Sequence, residues 1–298
     1  MKKPLFTGCG TALVTPFRGG LVDGDALRRL IDFQIVEGAD ALVVCATTGE
    51  APTLSLSERA EVIGIARERA AGRIPVIVGT GANDTARACA LSRAAQELGA
   101  DGVLVVTPYY NKATQAGLVQ HFTAVADAVE IPVILYNVPA RTGVSCTAET
   151  YAALADHPNI LGVKEASGSF SLVQETRNLC PPDFYLWSGN DEDTAALMLL
   201  GGVGVISVAS NVAPRAMHDL AALCLSGRFR EAGEAQLALT ELIRALFCEV
   251  NPIPVKAALA AMGLCAEELR LPLCPISDLH RERLYAALSR CGIESPAR

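Results

Sequence analysis

Eight short apolar runs, separated by longer amphipathic stretches, constrain the fold more than any other feature of this chain. They lie at 11–14, 41–45, 75–78, 102–106, 132–136, 160–164, 184–187 and 203–207, and are rich in Val and Ile. Each is apolar at successive positions, not at alternate ones. That is the pattern of a parallel strand with both faces buried. The stretches at 25–37, 57–71, 84–98 and 114–128 are predicted helices. Ser57 with Glu61, and Asp84, stand where capping starts are wanted, and Gly38, Gly72 and Gly99 where helices should stop. Eight strands alternating with helices is the count of a TIM (β/α)8 barrel, although a doubly wound sheet uses the same alternation. The barrel is the preferred reading over residues 1–227. Past 227 the strand signal vanishes, and 228–247, 254–262 and 278–290 read as further helices. Residues 228–298 are therefore expected to form an additional C-terminal helical layer packed on the barrel.

A chain of 298 residues suits one such barrel with its additions. Its net charge of −7 argues against nucleic acid or an anionic membrane as the main partner, while leaving room for a local basic site. The ten cysteines are scattered, several within apolar runs, and no zinc-type spacing occurs, so neither a disulfide framework nor a metal site is expected. The uncharged stretch 195–214 approaches spanning length. Its glycines, serines and Asn211 favour a helix end, a turn and a strand over a membrane helix. Glycines and a proline interrupt any signal-like run at the N-terminus, so a soluble cytoplasmic protein is expected.

In such a barrel the reactive groups belong where strands end. The second run ends in Thr47-Thr48-Gly49-Glu50, the fourth in Thr107-Pro108-Tyr109-Tyr110-Asn111, the fifth in Tyr136-Asn137-Val138-Pro139, and the sixth in Lys164-Glu165-Ala166-Ser167. The chain has five lysines against twenty arginines. A lysine closing an apolar run is therefore conspicuous. Unlike arginine, a desolvated lysine can shed its proton and attack a carbonyl. The competing role for Lys164 is an ion pair with Glu50 or Glu165. Tyr136 closes the neighbouring strand, about 4.8 Å away in a parallel sheet, where a phenol could shuttle protons or simply cap the core. Thr47 and Thr48 offer hydroxyls to a carboxylate, but also suit a turn. Arg141 could clamp a second carboxylate or be merely solvated. The paired tyrosines at 109 and 110 suit an interface. A phosphate-handling barrel would want a glycine-rich loop after a late strand, yet Gly201-Gly202-Val203-Gly204 precedes the eighth. A non-catalytic scaffold or binding protein of the same fold is the other alternative.

The ordered set Thr-Thr-Gly-Glu (47–50), Pro-Tyr-Tyr-Asn (108–111), Tyr-Asn-Val-Pro (136–139), Arg-Thr-Gly (141–143), Val-Lys-Glu-Ala-Ser (163–167), Ser-Gly-Asn-Asp (188–191) and Gly-Val-Ile-Ser-Val (204–208) resembles the dihydrodipicolinate synthase / N-acetylneuraminate lyase superfamily from about residue 10 to 275. The resemblance implies a lyase of the class I aldolase type. Lys164 would form a Schiff base with pyruvate, without a separate cofactor. Tyr136 would move protons, linked through Thr47 to Tyr110 of a neighbouring subunit. Thr48 and the backbone at Ile206 would hold pyruvate, and Arg141 the second substrate's carboxylate. It also implies a homotetramer built from tight dimers.

Within the superfamily, the lyase branch usually carries Ser-Thr in place of Thr47-Thr48 and a leucine in place of Arg141. A cationic clamp suits L-aspartate 4-semialdehyde, whose condensation with pyruvate to 4-hydroxy-tetrahydrodipicolinate belongs to diaminopimelate and lysine biosynthesis. N-acetylneuraminate lyase or 2-keto-3-deoxy-sugar-acid aldolase activity is the alternative. Relatives inhibited by lysine bind it with Asn and Tyr groups matching Asn83 and Tyr109, and with a His and a Glu where this chain has Arg59 and Arg87. Two cations there imply weak or absent lysine feedback. Ala46 replaces the family's usual glycine before the threonine pair.

Overall fold

The computed structural model describes residues 1–293; residues 294–298 of the expected helical extension lie outside the described residues. The eight runs form eight parallel strands: Gly8–Ala12, Ala41–Val44, Val76–Gly79, Gly102–Val106, Val133–Asn137, Ile160–Glu165, Tyr185–Ser188 and Gly204–Ser207. Each pairs with its sequence neighbours, and the eighth pairs with the first, closing the barrel. Closure excludes the doubly wound alternative. Alternate strand residues explain why the runs are uninterruptedly apolar. Val43, Ile77, Leu104, Ile134, Trp187 and Ile206 fill the interior, whereas Leu42, Val78, Val103, Leu135 and Val205 belong to the larger core shared with the surrounding helices. Phe6 stacks on Trp187 with ring centroids 5.4 Å apart in that interior.

Several boundaries differ from expectation for identifiable reasons. The first strand starts at Gly8, not at 11, because its glycines are packing residues and not breakers. A Cβ on Gly10 would lie 2.8 Å from the Phe6 ring. A short hairpin, Phe17–Arg18 with Leu21–Val22, follows it, turning at Gly19-Gly20, both at positive φ; the apolar-run pattern did not include it. The second helix starts one residue before Ser57. Its N-cap is Ser55, in a reciprocal capping box with Glu58 over the helix Leu56–Ala70. Asp84 does cap its helix, accepting from Ala86 N. The single helix expected over 228–247 is two, Phe229–Ala238 and Thr240–Leu246. At Leu239, which is buried, the backbone N–H turns to Gln236 O three residues back, and the chain bends. The stretch 195–214 resolves as the helix Thr194–Leu199, the eighth strand and a 3-10 turn. No helix among the described residues is long and apolar enough to cross a membrane.

The later helices Ile253–Ala261 and Asp278–Arg290 share the outer core through Val255, Leu259, Leu284 and Leu288. The ten cysteines are all free.

Candidate active site

The sixth strand carries a bulge that aims its end. Ile160 faces Val133 and Gly162 faces Ile134, so Leu161 is the extra residue. Gly162 is the residue that permits it, since a Cβ there would lie 1.8 Å from Tyr185 O. Beyond the bulge the register places Lys164 directly opposite Tyr136 on one side and Trp187 on the other. The Lys164 side chain is 4% exposed, and its Nζ lies 4.4 Å from the centroid of the Tyr136 ring. Gly189 leaves room for it, as a Cβ would stand 3.1 Å from Lys164 Cε.

Neither carboxylate considered as a partner reaches Lys164. Glu165 points to the other face of the strand, accepting from Asn137 Nδ2 at 3.1 Å, the Tyr151 hydroxyl at 2.8 Å and Ser167 N at 2.7 Å. Glu50 is taken by Lys256, Nζ to Oε1 2.5 Å, with both side chains buried. Burial pulls the Lys164 ammonium down to about 8. Asp191 opposes this, and the Arg141 guanidinium adds to it. Asp191 is itself buried, which raises its carboxyl. Its Oδ2 accepts from Val208 N at 3.1 Å and Ala209 N at 2.9 Å, tying it to the turn after the eighth strand. This residue lies in the Ser-Gly-Asn-Asp motif, but nothing in the sequence said which of its groups would face the lysine.

Tyr136 is 7% exposed, and burial raises its phenol, against the pull of Arg141 and the Thr47 hydroxyl. Tyr136, Thr47 and Arg141 line one cavity of about 440 Å³, together with Asn251 and Tyr109. Lys164 is not in that wall; its amine lies against the ring of Tyr136, which is. Arg141 sits on the helical turn Pro139–Thr142, where Pro139 starts the turn after the fifth strand and Gly143 ends it. Its Nη2 donates to Asn251 O at 3.3 Å. Thr48 is buried and its Oγ1 accepts from Asn251 Nδ2 at 3.0 Å. Ile206 is buried on the interior face, one residue past Val205↔Ser188, where pairing with the seventh strand ends.

Tyr110 is the exception. It is 90% exposed at positive φ in its loop, and it is not among the residues that line the cavity with Tyr136 and Thr47. Asn251, 110 residues from Arg141 and 203 from Thr48, had no sequence signal at all.

The model for the dihydrodipicolinate synthetase family matches residues 5–291. The chain belongs to that family. A 4-hydroxy-tetrahydrodipicolinate synthase of Alkaliphilus oremlandii is 49% identical over 289 residues, covering 97% of this chain and 100% of that one. A dihydrodipicolinate synthase of Thermotoga maritima superposes with a TM-score of 0.96 at 46% identity, covering 97% of this chain and 100% of its own. A monomeric dihydrodipicolinate synthase variant superposes at 0.95 with 46% identity, covering 97% and 98%. These relatives favour the synthase branch over the N-acetylneuraminate lyase and 2-keto-3-deoxy-sugar-acid aldolase alternative.

Proposed function

We propose that this chain is a lyase that condenses pyruvate with L-aspartate 4-semialdehyde to 4-hydroxy-tetrahydrodipicolinate, through an imine on Lys164. The observation that carries the chemistry is the buried amine of Lys164 held against Tyr136, in no salt bridge among the described residues and with a pKa near 8. At neutral pH an appreciable fraction is free amine, as nucleophilic attack requires.

Lys164 Nζ adds to the keto carbon of pyruvate. The resulting carbinolamine loses water to give the iminium, the Tyr136 phenol supplying the proton that departs with the hydroxyl. The iminium acidifies the adjacent methyl, whose proton is removed to leave an enamine. That carbon then attacks the aldehyde, and the new alkoxide takes up a proton. Attack of the acceptor's own amine on the iminium carbon closes the ring and releases Lys164. Thr48 and the Ile206 backbone hold the pyruvate carboxylate, while Arg141 clamps that of the semialdehyde. The placement of the reaction in lysine and diaminopimelate biosynthesis, in the cytoplasm, accords with the activity named for the relatives and with an acidic chain.

The relay from Tyr136 through Thr47 is completed by Tyr110 of a neighbouring copy in a dimer of dimers. Its support is a tyrosine that is outside its own site and exposed. Borohydride reduction with pyruvate, followed by peptide mass mapping, tests the chemistry. The expected adduct is on the peptide containing Lys164, and an unmodified Lys164 refutes it. Sedimentation velocity tests the assembly, where a species other than a tetramer at assay concentration refutes it.

A further inference from the structure

The two groups assigned to the substrates' carboxylates, the Thr48 hydroxyl and the Arg141 guanidinium, come from loops after different strands. Both are held by one residue from outside the barrel repeat. Asn251 lies between the helices Thr240–Leu246 and Ile253–Ala261, is buried, and borders the same cavity. Its backbone oxygen accepts from Arg141 Nη2 at 3.3 Å, and its Nδ2 donates to Thr48 Oγ1 at 3.0 Å. The side-chain Oδ1 is buried and has no partner among the described residues, so Thr48 is the one group among them that the amide bonds. A few residues on, Lys256 pairs with Glu50, and Arg270 N donates to the other Glu50 oxygen at 3.0 Å. The Thr47–Glu50 loop is therefore tied to the helical extension at Thr48 and at Glu50.

The direction of the Thr48 bond matters. A hydroxyl has one proton and can accept as well as donate. By donating to Thr48 Oγ1, Asn251 makes the hydroxyl an acceptor on that side. Its own proton has no acceptor among the described residues and is left for a ligand. We propose that Asn251 is a positioning residue that orients the Thr48 hydroxyl as a donor to the pyruvate carboxylate, so that the C-terminal extension sets affinity for the first substrate. This rests on the functional reading above, in which Thr48 binds pyruvate.

The test is the pyruvate dependence of borohydride trapping and of steady-state turnover in the full-length protein carrying Asn251→Ala or Asn251→Asp. Asn251→Ala should raise the pyruvate concentration for half-maximal trapping roughly fivefold to twentyfold, the worth of one hydrogen bond. The KM for the semialdehyde should stay within about twofold, because the backbone oxygen that holds Arg141 is retained. Asn251→Asp should be worse than Ala, since a carboxylate would take the Thr48 proton and repel the incoming one. In a Thr48→Val background Asn251→Ala should add nothing. An unchanged pyruvate dependence in the Ala variant, an Asp variant as good as wild type, or a full additional loss in the Thr48→Val background overturns the proposal. Should the Ala variant fail to fold, the near-isosteric Asp variant carries the test. Failure of the wild type to trap pyruvate on Lys164 would instead overturn the reading beneath it.

Discussion

Replacing Lys164 by Met separates a nucleophile from a structural ion pair by its effect on stability as well as activity. Adduct formation should be abolished, because the lysine is the reacting group. The stability term has a definite sign. A lysine that falls from 10.5 to about 8 on folding holds its proton less well in the native state. The native state thus binds fewer protons than the unfolded chain between those values, and stability rises with pH across that window. Below about 8 the whole cost of the buried ammonium is present, on the order of 3 kcal/mol from the size of the fall. Met fills similar volume and carries no such cost. That fall already contains the attraction of Asp191, so the gain is offset only by imperfect repacking around the Met, about 1.5 kcal/mol at most for a volume-conserving exchange. The expected net effect at pH 7 is at least about 1.5 kcal/mol of added stability, or a few degrees in Tm for a chain of this size. The gain should shrink as pH rises from about 8 towards 10.5. Denaturation midpoints of the two proteins at matched concentration, measured from pH 7 to 10, check this. A Met variant less stable than wild type at pH 7 would show that Lys164 is instead one half of a stabilising pair, and would refute the reasoning.

Lys256→Met should have the opposite result. It strands the buried Glu50 carboxylate and should cost roughly 3 kcal/mol, while the double variant with Glu50→Gln should recover much of it; thermal unfolding of the three proteins decides. Recovery is expected because burial holds Lys256 below the usual lysine range despite Glu50, so the intact pair is no large net gain. Arg141→Ala should raise KM for the semialdehyde by more than tenfold, on the scale of about 1.5–3 kcal/mol for a hydrogen bond to a charged group. It should also move the pH rise of the pyruvate-trapping rate upward, because Arg141 helps to depress Lys164, and a downward or absent shift in the rate profile would count against that assignment. L-Lysine should inhibit weakly or not at all. Arg59 is buried beside the cavity, donating to Gly79 O at 3.0 Å, and Arg87 and Tyr109 line it, so an ammonium would meet like charge. Sub-millimolar inhibition of initial rates would contradict this.

The barrel was legible because a parallel strand buried on both faces writes its own signature into successive residues, and eight such runs survive without any knowledge of pairing. Strand ends were less legible. Gly8 and Gly10 look like breakers until the Asp40 carboxylate and the Phe6 ring are seen against them. The scarcity of lysine drew attention to Lys164, yet the same scarcity applies to Lys256, which is equally buried and is an ion-pair partner. Rarity marks both as purposeful without saying which purpose.

The sequence by itself determined the alternation of strands and helices, the strand-end motifs and the family. These follow from local periodicity, from residue chemistry and from the order of short motifs. Which carboxylate faces which lysine is a property of side chains brought together from distant segments. Only the tertiary structure assigned Glu50 to Lys256, turned Glu165 away behind the strand, left Lys164 against Tyr136, and brought Asn251 to Thr48 and Arg141. Register, bulge and long-range closure decide those contacts, and none of the three is written in the spacing of a single segment.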